Sequence, residues 1–144
     1  MTGNMPLNTE LLISRLQNAV PALRVVSDAI GFDAIKELRL INESSAFVVL
    51  DSEKNSADVS RHTNQTFARF GIVVATRCAR SSDLMRESRA LIGQTRAALV
   101  GWRPENREFQ GCVWLGGEVL DYDQNVLLWV DMYQTNYFTN GVYP

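Results

Sequence analysis

Few residues in this chain could carry out chemistry, and their spacing does not assemble them. The single histidine, His62, lies in a polar stretch, where a lone imidazole reads as a solvated surface group. Acyl or phosphoryl transfer needs a nucleophile held against a base, or a loop that cradles phosphate. The sequence has no Gly-x-Ser-x-Gly elbow and no glycine-rich phosphate loop. Cys78 and Cys112 are isolated, with no Cys-x-x-Cys pair, and read as reduced core thiols. No Cys, His and carboxylate cluster has metal-ligand spacing. Two acidic pairs remain. Asp121 and Asp123 fall in an expected turn, which suits aspartate's local hydrogen bonding. Asp28 and Asp33 flank an expected helix start. Glycosidase chemistry depends on how far apart two carboxylates sit in space, which spacing along the chain leaves open. The reading is a non-enzyme with no catalytic, cofactor-binding or metal-binding residues.

Charge patterning points elsewhere. The formal charge is −2 and the pI about 5.4, against the basic excess of a dedicated nucleic-acid binder. The fourteen basic residues are all arginine except Lys36 and Lys54. Arginine is enriched at protein interfaces and lysine depleted; the base composition of the genome is the plainer explanation. With 46% hydrophobic and 21% charged residues, the 144-residue chain reads as one ordinary globular domain, residues 1–144. No basic-then-apolar leader opens it, and no apolar run approaches membrane-spanning length. The expected compartment is the cytoplasm in which it is made, with no membrane partner.

The elements follow from period and punctuation. A helix is expected over Thr9 to Val20, capped by Asn8, with Leu12, Leu16 and Val20 on one face. A short second helix is expected after Ser27 or Asp28, carrying Ile30, Ile35 and Leu38, though Gly31 weakens it. Ala46 to Leu50 reads as a strand. Residues 51–63 read as a long polar loop, a projecting hairpin tip containing Asp51, Glu53, Lys54, Asp58, Arg61 and His62. Thr66 to Cys78 alternates: Phe70, Ile72, Val74 and Thr76 point one way, and Arg69, Gly71, Val73, Ala75 and Arg77 the other. A strong amphipathic helix spans Ser82 to Val100, stopped by Gly101 and Pro104. Arg86, Arg89 and Arg96 lie off its apolar face. Two strands, Cys112 to Leu120 and Val126 to Tyr133, join through Asp121 to Asn125, and Gly116-Gly117 could mark a bulge. Residues 134–144 form a tail without clear pattern, whose Tyr137, Phe138 and Tyr143 could dock on a neighbouring subunit or on their own domain. The expected fold is α+β: one antiparallel sheet of about four strands with helices packed on one face. Trp129, and with it Trp102, reads as core, while Trp114 stays open between core and interface anchor.

Several stretches, in order, carry a resemblance. The segment Ala97-Ala98-Leu99-Val100-Gly101-Trp102-Arg103-Pro104 resembles the Leu-x-Gly-Trp-x-Pro segment of bacteriophage tail terminator proteins. Arg15-Leu16 and Val20-Pro21-Ala22-Leu23-Arg24-Val25 are similar to that family's opening helix and its exit. Phe47-Val48-Val49-Leu50, Phe70-Gly71-Ile72-Val73-Val74, Val119-Leu120-Asp121-Tyr122 and Leu127-Leu128-Trp129-Val130-Asp131-Met132-Tyr133 resemble its strands.

The resemblance implies a hexameric ring that caps the tail tube, ends its polymerisation and offers the surface that joins the head through neck proteins. It implies a place in the virion, at the head-tail junction, and a catalytically inert fold. The implied partners are the chain itself, the tail tube protein and head-tail connector proteins. DNA could pass through the lumen without sequence-specific contact. Arg86, Arg89, Arg96 and Arg103 are then candidates for arginine–carboxylate pairs between subunits. The polar loop is a candidate to face the tube or lumen. Two rival readings remain: another head-tail connector subunit, such as a neck or head-completion protein, and a small ligand- or nucleic-acid-binding module. Which partner binds separates the first, and salt-dependent single-strand binding the second.

Overall fold

The computed structural model describes residues 4–35, 37–55, 63–105 and 108–140. Helix α1 spans Thr9–Ala19, and the Asn8 carboxamide oxygen accepts from the Glu10 N–H at 3.0 Å, as the cap position requires. The chain then forms β1, Val25–Asp28, and two single 3-10 turns, Phe32–Ala34 and Leu38–Leu40. Strands β2, Ser45–Asn55, and β3, Thr63–Arg77, come next. After a 3-10 turn at Ser81–Asp83 comes α2, Leu84–Leu99, followed by β4, Glu108–Tyr122, and β5, Val126–Asn140.

The fold is α+β, with one mixed sheet in the order β1-β2-β3-β5-β4. All neighbours are antiparallel except β1, which lies parallel to β2. The sheet therefore has five strands rather than about four. The extra strand lies just before the expected second helix and takes in both of its expected caps, Ser27 and Asp28. Val25 and Val26 suit an extended backbone, and pairing with Ser45 and Ala46 supplies what local periodicity could not signal. The remainder of that expected helix is two short turns around an extended Gly31.

Alternation on β3 divides the two faces as read. Ala68, Phe70, Ile72 and Val74 join Leu12, Leu16, Leu91, Ile92 and Leu99 in the main core beneath α1 and α2. Each of these side chains except Ala68 contributes about 1.5–3 kcal/mol by burial. On the opposite face, Val73, Ala75, Leu128 and Val130 are covered by Phe32, Ile35, Leu38 and Ile41. Two of the residues that suggested a second helix, Ile35 and Leu38, thus cap the far side of the sheet, while Ile30 is fully exposed.

Two boundaries move. β2 continues through Asp51 to Asn55 with a bulge between Leu50 and Ser52, so Asp51, Glu53 and Lys54 belong to a strand and not to a loop. Polar composition misled here because pairing with β3 fixes this part of the strand, and Glu53 meets its neighbours through hydrogen bonds rather than an apolar side chain. Asp58, Arg61 and His62 lie outside the described residues. β5 continues to Asn140, so most of the expected tail is strand, with Tyr137 fully buried in its own domain and Phe138 exposed on the other face. Tyr143 lies outside the described residues.

Candidate assembly surface

The residues that could have done chemistry serve the backbone instead. One Asp121 carboxylate oxygen accepts from the Tyr122 N–H, and Asp123 accepts from the N–H groups of Asn125 and Val126, each at 2.8 Å. These bonds shape the β4–β5 turn. Asp28 ends β1 and Asp33 sits in a 3-10 turn. Cys112 is buried and Cys78 half-buried, and neither forms a disulfide. Burial, with Glu87 and Asp83 nearby, pushes the Cys78 thiol up, away from a reactive thiolate. Among the described residues no three His, Cys, Asp or Glu side chains converge as a metal site.

The Gly-Trp-Arg-Pro segment is a joint. Gly101 adopts φ 82°, which stops α2 without the clash a Cβ would bring. The following backbone turns onto β4, with Gly101 N–H donating to the Cys112 carbonyl and Cys112 N–H to the Trp102 carbonyl. From α1, Arg15 donates to the Ala98 carbonyl at 2.9 Å and lies over the Trp102 ring at 5.5 Å. A cation thus meets the negative end of α2. Arg103 is exposed.

The four interface candidates differ in what they do. Arg86 reaches back to Asp83 at 3.1 Å on the surface, a pair of small energetic weight. Arg89 is exposed on the outer face of α2. Arg96 is engaged within the chain. Its guanidinium grips Asp131 with two hydrogen bonds, 2.7 and 2.9 Å. The Asp131 carboxylate has no exposed surface, and Trp114 and Trp129 both donate their indole N–H to it, at 3.0 and 2.8 Å. Arg96 also stacks over Trp114 at 4.7 Å. Burial alone would raise the Asp131 pKa, but hydrogen bonds from Arg96, Trp129 and Trp114 overcome it and hold the carboxyl below its ordinary value. Burial, joined by the Asp131 charge, drives the Tyr133 phenol well above its usual range. The cluster is closed by Gly117 on β4, where a Cβ would collide with the Asp131 carboxylate and approach the Trp129 indole within 2.8 Å.

Sequence reasoning placed Arg96 outside and passed over Asp131. The available signal was a single carboxylate inside the apolar run from Leu127 to Tyr133, in phase with Trp129 and Tyr133. Trp129 is half-buried in the cluster and packs against the core, as does Trp102. Trp114 remains 46% exposed with its polar atom already satisfied.

That exposed indole belongs to a longer surface. β4 is the edge of the sheet, and Val113, Trp114, Leu115, Val119, Leu120 and Tyr122 all stand 38–69% exposed along it. Long apolar edges invite pairing with another chain, and proteins usually blunt them. Register shifts interrupt β4 at four places, which limits open-ended strand addition but leaves the apolar side chains outward. On the face away from the helices, β4 borders a depression of about 390 Å³ that includes Asp51, Arg69, Glu118 and Met132. Asp51 and Lys54 are exposed on β2, whereas Glu53 is half-buried, accepting from the Leu7 N–H and the Tyr137 hydroxyl. Glu53 therefore ties the fold together instead of reaching outward.

The five-stranded α+β domain thus turns its polar cluster inward and an apolar edge outward, a surface suited to contact with another chain. The family model described as phage tail terminator protein matches residues 2–141. The chain belongs to that family, and it is a non-enzymatic structural component of the virion tail. Among solved structures it is similar to a chain of the virion of a native gene transfer agent particle. That likeness has a TM-score of 0.47 and 15% identity, over 88% of this chain and 84% of that one. Among curated proteins no sequence matches it.

Proposed function

We propose that this protein forms a ring of six copies on the end of the tail tube, stops tube growth, and offers the outer surface to which the head's neck proteins bind. The observation that carries the ring is the row of exposed apolar side chains along the β4 edge, the longest such run on one element of the described residues. The folded chain exposes 8542 Å². Two neighbour contacts of about 800 Å² each would cover roughly a fifth of that, enough for a closed heterologous ring. The partners are further copies of the chain, the tail tube protein and the head-tail connector. DNA passes through the lumen without base-specific contact. Assembly takes place in the host cytoplasm and ends in the virion at the head-tail junction.

The test is negative-stain imaging of the purified protein mixed with growing tail tubes. Six-fold rings on tube ends, with tube length arrested, are the expected result. Tubes that lengthen unchecked with no density at their ends would overturn the reading.

A further inference from the structure

Charge in this chain is sorted by element. From Glu108 to Asn140 there are five carboxylates (Glu108, Glu118, Asp121, Asp123, Asp131) and no lysine or arginine. From Arg77 to Arg96 there are five arginines against only Asp83 and Glu87. Asp131 and Arg96 neutralise each other inside the fold. What remains outside is an acidic, apolar β4 edge and an outer face of α2 carrying Arg89 and Arg86, the latter in weak surface pairs with Asp83 and Glu87 that a new partner could replace. That helical face presents Met85, 57% exposed, beside Arg86 and Arg89. One turn further lies Gly93, where even a Cβ would meet nothing within 4 Å. A flat helical surface with guanidinium groups beside it matches an apolar edge whose carboxylates, Glu118 and Asp121, run along the side turned away from the helices.

The two surfaces also lie at compatible levels. Asn125, at the β4–β5 turn, donates to the Cys78 and Ala79 carbonyls, immediately before the segment that leads into α2. Asp121 and Arg86 therefore belong to the same end of the sheet. Copies related by rotation about an axis along the strands bring one surface against the other without a shift along that axis.

We infer that the β4 edge of one copy docks on the outer face of α2 of the next, with Trp114, Val119, Leu120 and Tyr122 against Met85 and Gly93, and Glu118 and Asp121 facing Arg86 and Arg89. This inference rests on the ring reading and specifies its contact. Trp114 suits the centre of such a contact. Its indole N–H is held by Asp131 and its ring by Arg96, so its rotamer is set before docking and little side-chain entropy is lost. Aromatic anchors pre-ordered in this way typify the energetic centre of an interface. Because the two surfaces differ, the contact is heterologous, the kind that builds a ring where its rotation closes rather than a two-fold pair.

The experiment is a charge exchange. One variant carries Glu118→Arg with Asp121→Arg; a second carries Arg86→Glu with Arg89→Glu. Thermal unfolding of each, compared with wild type, checks that the monomer fold survives; a variant that melts early is replaced by its alanine counterpart. Each variant alone is expected to lose ring formation, in solution or on tube ends, with the concentration needed for assembly raised tenfold or more. Mixing the two folded variants is expected to restore rings in which they alternate, since every contact is again between opposite charges. Wild-type-like assembly by either folded variant overturns the docking, as does a mixture that stays unassembled. If wild type itself caps tubes while the variants behave like it, the ring stands and this contact falls. If wild type neither forms rings nor caps tubes, both fall together.

Discussion

At Asp131 a buried carboxylate is held by a bidentate arginine and two indole N–H groups. Removing one partner of a buried pair typically costs about 3–5 kcal/mol. Arg96 keeps 36% of its side chain in solvent, so it can partly rehydrate. Asp131→Ala should therefore lie near the lower end, about 3 kcal/mol, in urea unfolding. The pH dependence follows from the lowered Asp131 pKa. The unfolded chain binds this proton more readily than the folded one, so stability rises with pH across the gap. The stabilisation is fully present above the unfolded value near pH ~3.9 and is lost as pH falls through the lower folded value. Asp131→Asn should flatten that acid limb; an unchanged limb would show that other carboxylates set it. Gly117→Ala should cost about 1–3 kcal/mol by displacing the same cluster, read as a lowered denaturation midpoint.

Among the elements, α2 and β3 were the most legible, because each carries a full period of its own: Leu84 to Leu99 along one helical face, and Ala68 to Val74 along one strand face. The stop at Gly101 was equally plain. Gly101→Ala forces a Cβ into left-handed backbone and should cost about 1–2 kcal/mol, checked by urea unfolding. What was not legible depended on partners distant in sequence. β1 is a strand because β2 lies beside it, and residues 51–55 extend β2 because β3 continues opposite them. Arg96 looked solvent-facing because helical period gives direction but not reach; its long side chain spans the gap to β5. Of the candidate surface, the exposed arginines on α2 could be read from the helix pattern. The apolar β4 edge could not, since a strand's place at the edge of a sheet is a property of topology.

For the molecule as a whole, external charge sorted between two surfaces has a consequence for conditions of assembly. Exposed arginine–carboxylate contacts are screened as the Debye length falls from about 10 Å at 0.1 M salt to about 3 Å at 1 M. Rings of this protein should weaken across that range, with the apolar part of the contact retained; light scattering or sedimentation against salt measures it. The Asp131–Arg96 pair, shielded within the fold, should leave monomer unfolding far less sensitive to the same salt. A ring that holds equally at both salts would place the burden on the apolar edge alone.

Glu53 receives hydrogen bonds from Leu7, near the start of the described chain, and from Tyr137, near its end. Leu7 and Tyr137 therefore meet at one pole of the sheet, opposite the Asp121–Asn125 turn. In any head-to-tail closed assembly every copy points the same way. Such an assembly has a built-in polarity: Leu7 and Tyr137 of every copy lie toward one rim, and the Asp121–Asn125 turns, beside the Cys78–Ala79 segments, toward the other.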